Sequence, residues 1–363
     1  MDIVINHDNL RDVTAIDRDT VPLAPGELRL AIERFGLSAN NITYAVMGDA
    51  MSYWQFFPGI TTEGTTWCSM PVWGFATIAE STVDALPVGR KVFGYFPFST
   101  ELRCTPGRID ESGFSDVAPH RAELPSVYNR YALVDHDPMY DAAAEELLML
   151  LRPLFITSFV VEDFLFDHDL FGAEVAIVSS ASAKTAYGTA ALLARRGMAK
   201  VVGVTSAANV DFCRSLGCYD EVLTYDQVHH LELVPSVYLD VAGRRDVTAA
   251  VHHHLGDLLA HSMIIGDTHW EGPAIEPGGI PGPKPTLLFA PVQIAKRRTE
   301  WGRDGFEAAV AAAWTATLPT FTAAIDLVTV HGPAALIETY QLLLEGTVDP
   351  RAGYICSFAD TRS

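Results

Sequence analysis

The chain is short of several things that would have placed it in familiar classes. Its five cysteines, Cys68, Cys104, Cys213, Cys218 and Cys356, are odd in number and widely scattered, which argues against a disulfide framework and a zinc cluster and makes a reducing cytoplasm the expected compartment. Basic residues are scarce too. There are 25 Lys and Arg against 45 Asp and Glu, a formal net charge of -20 that repels nucleic-acid phosphates and anionic membrane surfaces, so neither is an expected partner. No stretch approaches about 18 uninterrupted apolar residues, and the opening MDIVINHDNLRD has no apolar run behind a basic segment; a membrane span and a signal peptide are not expected. Internal repeats and low-complexity tracts are absent as well.

What is present is material for a large core. With 363 residues, 49% hydrophobic and 19% charged, the natural expectation is two domains. From residue 1 to residue 145, short apolar runs (ELRLAIERFGL, MPVWGFATIAES, GRKVFGYFPF) are separated by Pro and Gly. Leu28, Leu30 and Ile32 alternate with more polar positions, the period of a half-buried strand, so this part reads as β-rich. AAAEELLMLLRPLFITSFVVEDFL has a helical pattern broken or kinked at Pro153 and marks a domain boundary. From 174 to 267, strand-like and helix-like segments alternate: EVAIVS, AKTAYGTAALLARR, VVGVTS, ANVDFCRSLG, EVLTY, VYLDVAG, VTAAVHHHLGDLL, HSMIIGD. Such alternation demands parallel strands joined by right-handed crossovers, a doubly wound α/β sheet. EGPAIEPGGIPGPKP reads as an exposed loop, helical patterns return after Phe306, and RAGYICSF reads as a last strand.

The segment SSASAKTA joins the first of these strands to the first helix. Ala183, Ala186, Tyr187, Ala190, Leu193, Ala194 and Gly197 give that helix a small, apolar face that can pack tightly on a sheet. Ser180 or Ser182 is placed to cap it, and its free N–H groups with Ala183, Lys184 and Thr185 make an anion site. The glycines of the usual dinucleotide fingerprint are missing here, replaced by Ser180, Ala183 and Ala186; the alternative reading is a tight turn with a solvated lysine. The next strand ends in Thr205 and Ser206 where an NAD site has Asp or Glu, so NADP is preferred over NAD.

In order and spacing, LAPGELRLAIERFGLSANN, PVWGFATIAEST, LPVGRKVFGYF, SVYNRYALVD, VAIVSSASAKTAYGTAALLARRG, FCRSLGCYDEVLTYD and YLDVAG resemble the medium-chain dehydrogenase/reductase superfamily. Within it the chain resembles the zinc-free, quinone reductase-like branch and in particular the DUF2855 group. The resemblance implies a GroES-like β-rich catalytic domain, 1–145 with 311–363, and a Rossmann doubly wound cofactor domain, 146–310, with an active site in the cleft between them. It implies NADP(H) as cofactor, with Asp240 and Gly243 near the nicotinamide, and dimers through the cofactor domain, for which TLLFAPVQIA is a candidate edge. The loop FGLSANN lacks the catalytic Cys of zinc-dependent members and no Cys-rich lobe follows, so no metal site of that type can be assembled. His252, His253 and His254 are consecutive on a predicted helix and point different ways.

Hydrogen-bond donors must then polarise the substrate. Asn41 is the first choice for orienting substrate or nicotinamide, against an Asx turn or helix cap. Tyr53 is a candidate proton donor, and Tyr44, Trp54, Trp73 and Tyr128 are candidate substrate contacts, each with a core role as the alternative. His269, just past a strand end, is a candidate acid or base against a surface-loop histidine. Lys296, Arg297 and Arg298 read as a solvated face or subunit contact. The expected activity is zinc-independent, NADPH-dependent reduction of an activated C=C or C=O group in a small, fairly apolar substrate. A redox-neutral lyase- or hydrolase-type enzyme on the same fold, or a non-catalytic binding protein with a degenerate cofactor site, are the other readings.

Overall fold

The computed structural model describes residues 1–266, 279–288 and 290–359. The chain forms two compact units, Met1–Leu150 together with Asp326–Ser363, and Leu151–Ile325. The first boundary falls inside the helix Glu145–Asp167, which runs unbroken through Pro153. The long helix Ala290–Ala324 contains the 310/311 position at which the sequence reading had divided the chain. That helix hides a reversal of pattern at Gly302, whose φ of 74° turns the chain out of helical geometry.

The first unit is built mainly on antiparallel strands, with Asp326–His331 parallel to Ala352–Ser357. Its nine-stranded sheet runs Asp326–His331, Ala352–Ser357, Leu28–Leu37, Pro71–Ser81, Lys91–Pro97, Arg130–Leu133, Gly113–Asp116, Pro106–Asp110, with Glu101–Cys104 also on Leu28–Leu37. A second sheet joins Asn9–Ile16, Asp2–Asn6, Thr65–Cys68 and Ile60–Thr62. Leu28, Leu30, Phe35 and Leu37 are wholly buried, but Arg29 between them is buried too. Its guanidinium is matched by Glu80, Glu101 and the Val21 carbonyl, which is what allows a charge inside a strand the alternation had read as half solvated.

The second unit holds a six-stranded parallel sheet in the order Glu221–Thr224, Lys200–Thr205, Val175–Ser179, Ser236–Asp240, Leu259–Ile264, Thr286–Leu287. The central strand Val175–Ser179 is buried along its whole length, as a continuous apolar run flanked by helices should be. The chain leaves it toward one side and returns on the other, so the strand order reverses between Val175–Ser179 and Ser236–Asp240. Before that strand, Asp169, Leu170 and Phe171 hold φ values of 48°, 48° and 55°, followed by Gly172 at 74°, a left-handed turn in which only the glycine is at ease. Phe171 is stacked between His168 and His261, at centroid distances of 5.0 and 4.2 Å.

Of the basic run of helix Ala290–Ala324, Lys296 and Arg298 are exposed and only Arg297 leaves the solvated face. Arg297 is buried and paired with Asp163, Asp167 and Glu300, and Lys296 with Asp167 and Glu300. A one-dimensional pattern shows the cations and not the acidic stripe of the helix Glu145–Asp167 that meets them.

Candidate functional site

Two constellations carry chemistry-bearing side chains, one in each unit. The first is the turn after Val175–Ser179. Ser180 takes a left-handed φ of 52°, the Ala183 amide donates to its carbonyl at 2.8 Å, and the Ala181 amide donates to Val204. The helix Lys184–Arg196 follows, with Ala183 at the cap position and no side-chain cap. Neither serine caps it, contrary to the sequence reading. Ser180 is committed to the turn, its hydroxyl 3.5 Å from the Tyr225 phenol, and Ser182 accepts from Asn209 Nδ2 at 2.9 Å. The start of this helix therefore carries no side-chain cap. Ser182, Ala183, Lys184 and Thr185 are all half-buried, and the Thr185 carbonyl accepts from Ser158 at 3.0 Å, which pins the first turn.

The neighbouring strand ends differ in what they offer. Thr205 is wholly buried against the Cys213 thiol; it is a core position and cannot present its hydroxyl to a ligand as expected, whereas Ser206 is half-buried. Asp240 is buried and accepts from Ser179 Oγ, the amides of Gly243 and Arg244, and Thr248 Oγ1. Its carboxylate is fully engaged in folding the turn through Gly243 (φ 71°) into the helix Arg245–Leu255, so it shapes this edge without reaching out from it. Two residues missed by the sequence reading sit here as well: the Arg244 guanidinium lies 4.5 Å from the centre of the Tyr225 ring. They are 19 positions apart, and only the parallel-sheet topology brings their strand ends together.

The second constellation is a cluster of tyrosines in the first unit. Tyr44 stands on the helix Ala39–Val46, Tyr53 on the short turn Tyr53–Gln55, Trp73 and Tyr95 on paired strands, and Tyr128 on Ser126–Asn129. Ring centroids of Tyr44 lie 4.8, 5.4 and 6.4 Å from those of Tyr53, Tyr95 and Tyr128, mostly edge to face. Tyr44 Oη accepts from Asn40 Nδ2 at 2.8 Å and from Trp73 Nε1 at 2.9 Å. Tyr53 and Tyr128 share a hydrogen bond of 3.3 Å. Burial pushes the hydroxyls of Tyr44, Tyr53 and Tyr128 above the ordinary phenol range, so all hold their protons near neutrality. Tyr95, with Phe56 and Phe57 behind it, went unnoticed in the sequence because its strand GRKVFGYFPF reads as plain core.

Two other expected residues do not join this cluster. Asn41 is a cap: its Oδ1 accepts from the Ser38 amide at 2.9 Å and its Nδ2 donates to the Pro71 carbonyl at 3.1 Å, inside a capping box, so the amide expected to orient a ligand holds the helix start instead. Trp54 turns away into the core with Ile5, Ala45 and Met70, its indole so close to Gly48 that a Cβ there would lie 2.0 Å from Nε1. His269 lies outside the described residues. Of the consecutive histidines, His252 is buried and His253 exposed, and among the described residues no three His, Cys, Asp or Glu side chains are placed to hold a metal ion. All five cysteines are buried and unpaired, and no described helix is long and apolar enough to cross a membrane.

A β-rich unit and a parallel doubly wound sheet, in this chain order, make up the fold of the medium-chain dehydrogenase/reductase class, with a GroES-like and a Rossmann domain. The chain shares it with CurA from Vibrio vulnificus, at 12% identity over 99% of each chain and a TM-score of 0.59, a protein also solved in complex with NADPH. It shares it likewise with the yhdH oxidoreductase from Salmonella enterica in complex with NADP (12% identity, 99% of each chain, TM-score 0.53). A putative NADPH:quinone reductase from Mesorhizobium loti has the same fold at 10% identity, covering 93% of this chain and 88% of its own, with a TM-score of 0.59. The protein itself belongs to the family described as "Protein of unknown function (DUF2855)", whose model matches residues 35–349. No curated protein matches its sequence.

Proposed function

We propose that the protein is a zinc-independent, NADPH-dependent reductase acting on an activated C=C or C=O group of a small, fairly apolar substrate. The observation that carries this is the uncapped start of the helix Lys184–Arg196 at the point where the strand order of the parallel sheet reverses, the place where open α/β sheets receive nucleotides. The residues present fit a dinucleotide diphosphate. Ser180 in its left-handed conformation and the small side chains Ala181 and Ala183 keep the turn low, the Thr185 and Ala186 amides open the helix, and Lys184 brings positive charge to an otherwise strongly acidic chain, whereas Arg244 is already paired with Asp246. The NADPH and NADP bound to two proteins of this fold favour the phosphorylated cofactor. When bound, NADPH supplies a hydride to carbon. The chain's own part is to orient the reacting oxygen with phenolic donors in a site lined by rings, where a hydrogen bond counts for more than in water.

The test is thermal unfolding of the purified protein with added nucleotide. A ligand at a hundred times its Kd stabilises the folded form by about 2.7 kcal/mol, so NADPH should raise Tm clearly and NADH less. Lys184→Glu should weaken NADPH binding by about tenfold or more, the loss of a charged contact replaced by repulsion. An unmoved Tm at millimolar NADPH sinks the proposal.

A further inference from the structure

We propose that Tyr44 is a dedicated hydrogen-bond donor that binds the oxygen of a flat, uncharged carbonyl compound, an enone or a quinone, within the tyrosine cluster. The substrate class rests on the reductase proposal; the donor geometry does not. A phenol has one O–H to give and two lone pairs to receive. At Tyr44 both lone pairs are taken, by Asn40 Nδ2 at 2.8 Å and Trp73 Nε1 at 2.9 Å, and the O–H is what remains. Tyr44 is only 5% exposed, and its proton finds no acceptor among the described residues. A donor buried and unmatched is destabilising, and two donors holding the oxygen fix the direction in which the O–H can point.

A second, independent feature says the same of the neighbourhood. The Tyr95 hydroxyl, on a ring 5.4 Å from that of Tyr44, is wholly buried and has no hydrogen-bond partner among the described residues either. Tyr53 and Tyr128 share one hydrogen bond, which takes up one of their two O–H groups. The cluster thus has donors to offer and no charge to balance, because the guanidinium behind it, Arg121 against Phe56 and Phe57, is already paired with Asp116. A ligand suited to it brings acceptor oxygens, no charge, and a flat body to lie against Trp73 and Tyr128, the two rings of the cluster that are only half-buried. Because burial holds the Tyr44 proton firmly, the phenol polarises the carbonyl and keeps its hydrogen.

The experiment reads the carbonyl stretch of cyclohex-2-enone and 1,4-naphthoquinone bound to the full chain, by isotope-edited infrared difference spectroscopy, without nucleotide. In the wild type the band should move to lower frequency. Tyr44→Phe should abolish that shift and weaken probe binding by about tenfold, the worth of one good hydrogen bond, while the NADPH-induced rise in Tm stays. Should Tyr44→Phe not fold, 3-fluorotyrosine placed at position 44 keeps the shape, sharpens the donor, and should move the band further. Asn40→Leu should lessen the shift; a larger shift would show that Asn40 accepts the Tyr44 proton and would overturn the assignment. So would an unmoved band, a shift that survives Tyr44→Phe, or failure of both probes to bind. A shifted band in a protein that ignores NADPH would leave the donor assignment standing and remove the reductase.

Discussion

His252 shows how one side chain can tie stability to pH. It is wholly buried, with Nδ1 2.8 Å from the Pro281 carbonyl and Nε2 2.8 Å from Ser262 Oγ. A carbonyl can only accept, so Nδ1 carries the hydrogen and Nε2 receives the Ser262 hydroxyl; the ring is neutral. Burial holds its pKa below the ordinary 6.5, and burial does the same to His261. A folded pKa below the unfolded one means that the unfolded chain takes up protons first. Stability is therefore full above pH 6.5 and is lost as pH falls from there toward the lower folded values. We expect Tm to fall through this window and His252→Gln to flatten part of the slope, as followed by thermal melts across a pH series; an unchanged slope in the variant would count against the assignment. At this scale the sequence was a partial guide. Tyr44, Tyr53, Trp73 and Tyr128 stood out as an aromatic-rich set and do meet, but whether Asn41 faces a ligand or a helix start depends on where Pro71 lies, 30 positions away, and no local pattern carries that.

The element on which the nucleotide proposal depends is the helix Lys184–Arg196, and its position is set by one close approach. Gly188 faces Ser158 on the helix Glu145–Asp167: a Cβ added there would lie 2.7 Å from Ser158 Oγ and 3.3 Å from its Cβ. Ser158 cannot simply rotate away, since its hydroxyl donates to both Leu154 and Thr185 carbonyls at 3.0 Å. Gly188→Ala gains helix propensity but forces the helices apart or breaks the Thr185 contact, and overpacking of this kind costs about 1–3 kcal/mol. Urea denaturation should show that loss, accompanied by weaker NADPH binding, because Thr185 opens the helix that is to hold the diphosphate. A stabilised variant would mean that Ser158 is not a fixed neighbour. The helix itself was legible in the spacing of Ala183, Ala186, Tyr187 and Ala190. Its missing cap was not, because a serine in the right place says nothing of whether Asn209 will claim its hydroxyl first.

For the molecule as a whole, the dominant long-range fact is a formal net charge of -20. Surface ion pairs such as Arg351–Asp326 and Arg303–Glu307 are each worth about 0–1 kcal/mol and weaken with salt. The unbalanced acidic excess has no partner, and its self-repulsion acts against compactness. Adding sodium chloride from about 0.02 to about 0.3 M shortens the screening length several-fold, so Tm should rise; a fall would show that paired charges outweigh the excess. The alternation of strands and helices from 174 to 267 made the parallel sheet readable because each strand is a short apolar run closed by a turn. The long helix Ala290–Ala324 was half hidden, since its pattern is interrupted by a true kink at Gly302 and the Lys296 to Arg298 run does not show that Arg297 alone is buried.

The left-handed turn at Asp169–Gly172 has a consequence for the order in which the protein assembles. Three L-residues there adopt a conformation each would refuse in isolation, at roughly 1–2 kcal/mol apiece, so the turn has no tendency to form while its surroundings are fluid. What holds Phe171 is the flat face of His261, 90 positions further on. This corner is therefore unsuited to seed folding, because the ring that holds Phe171 is in place only once the strand Leu259–Ile264 has been laid down.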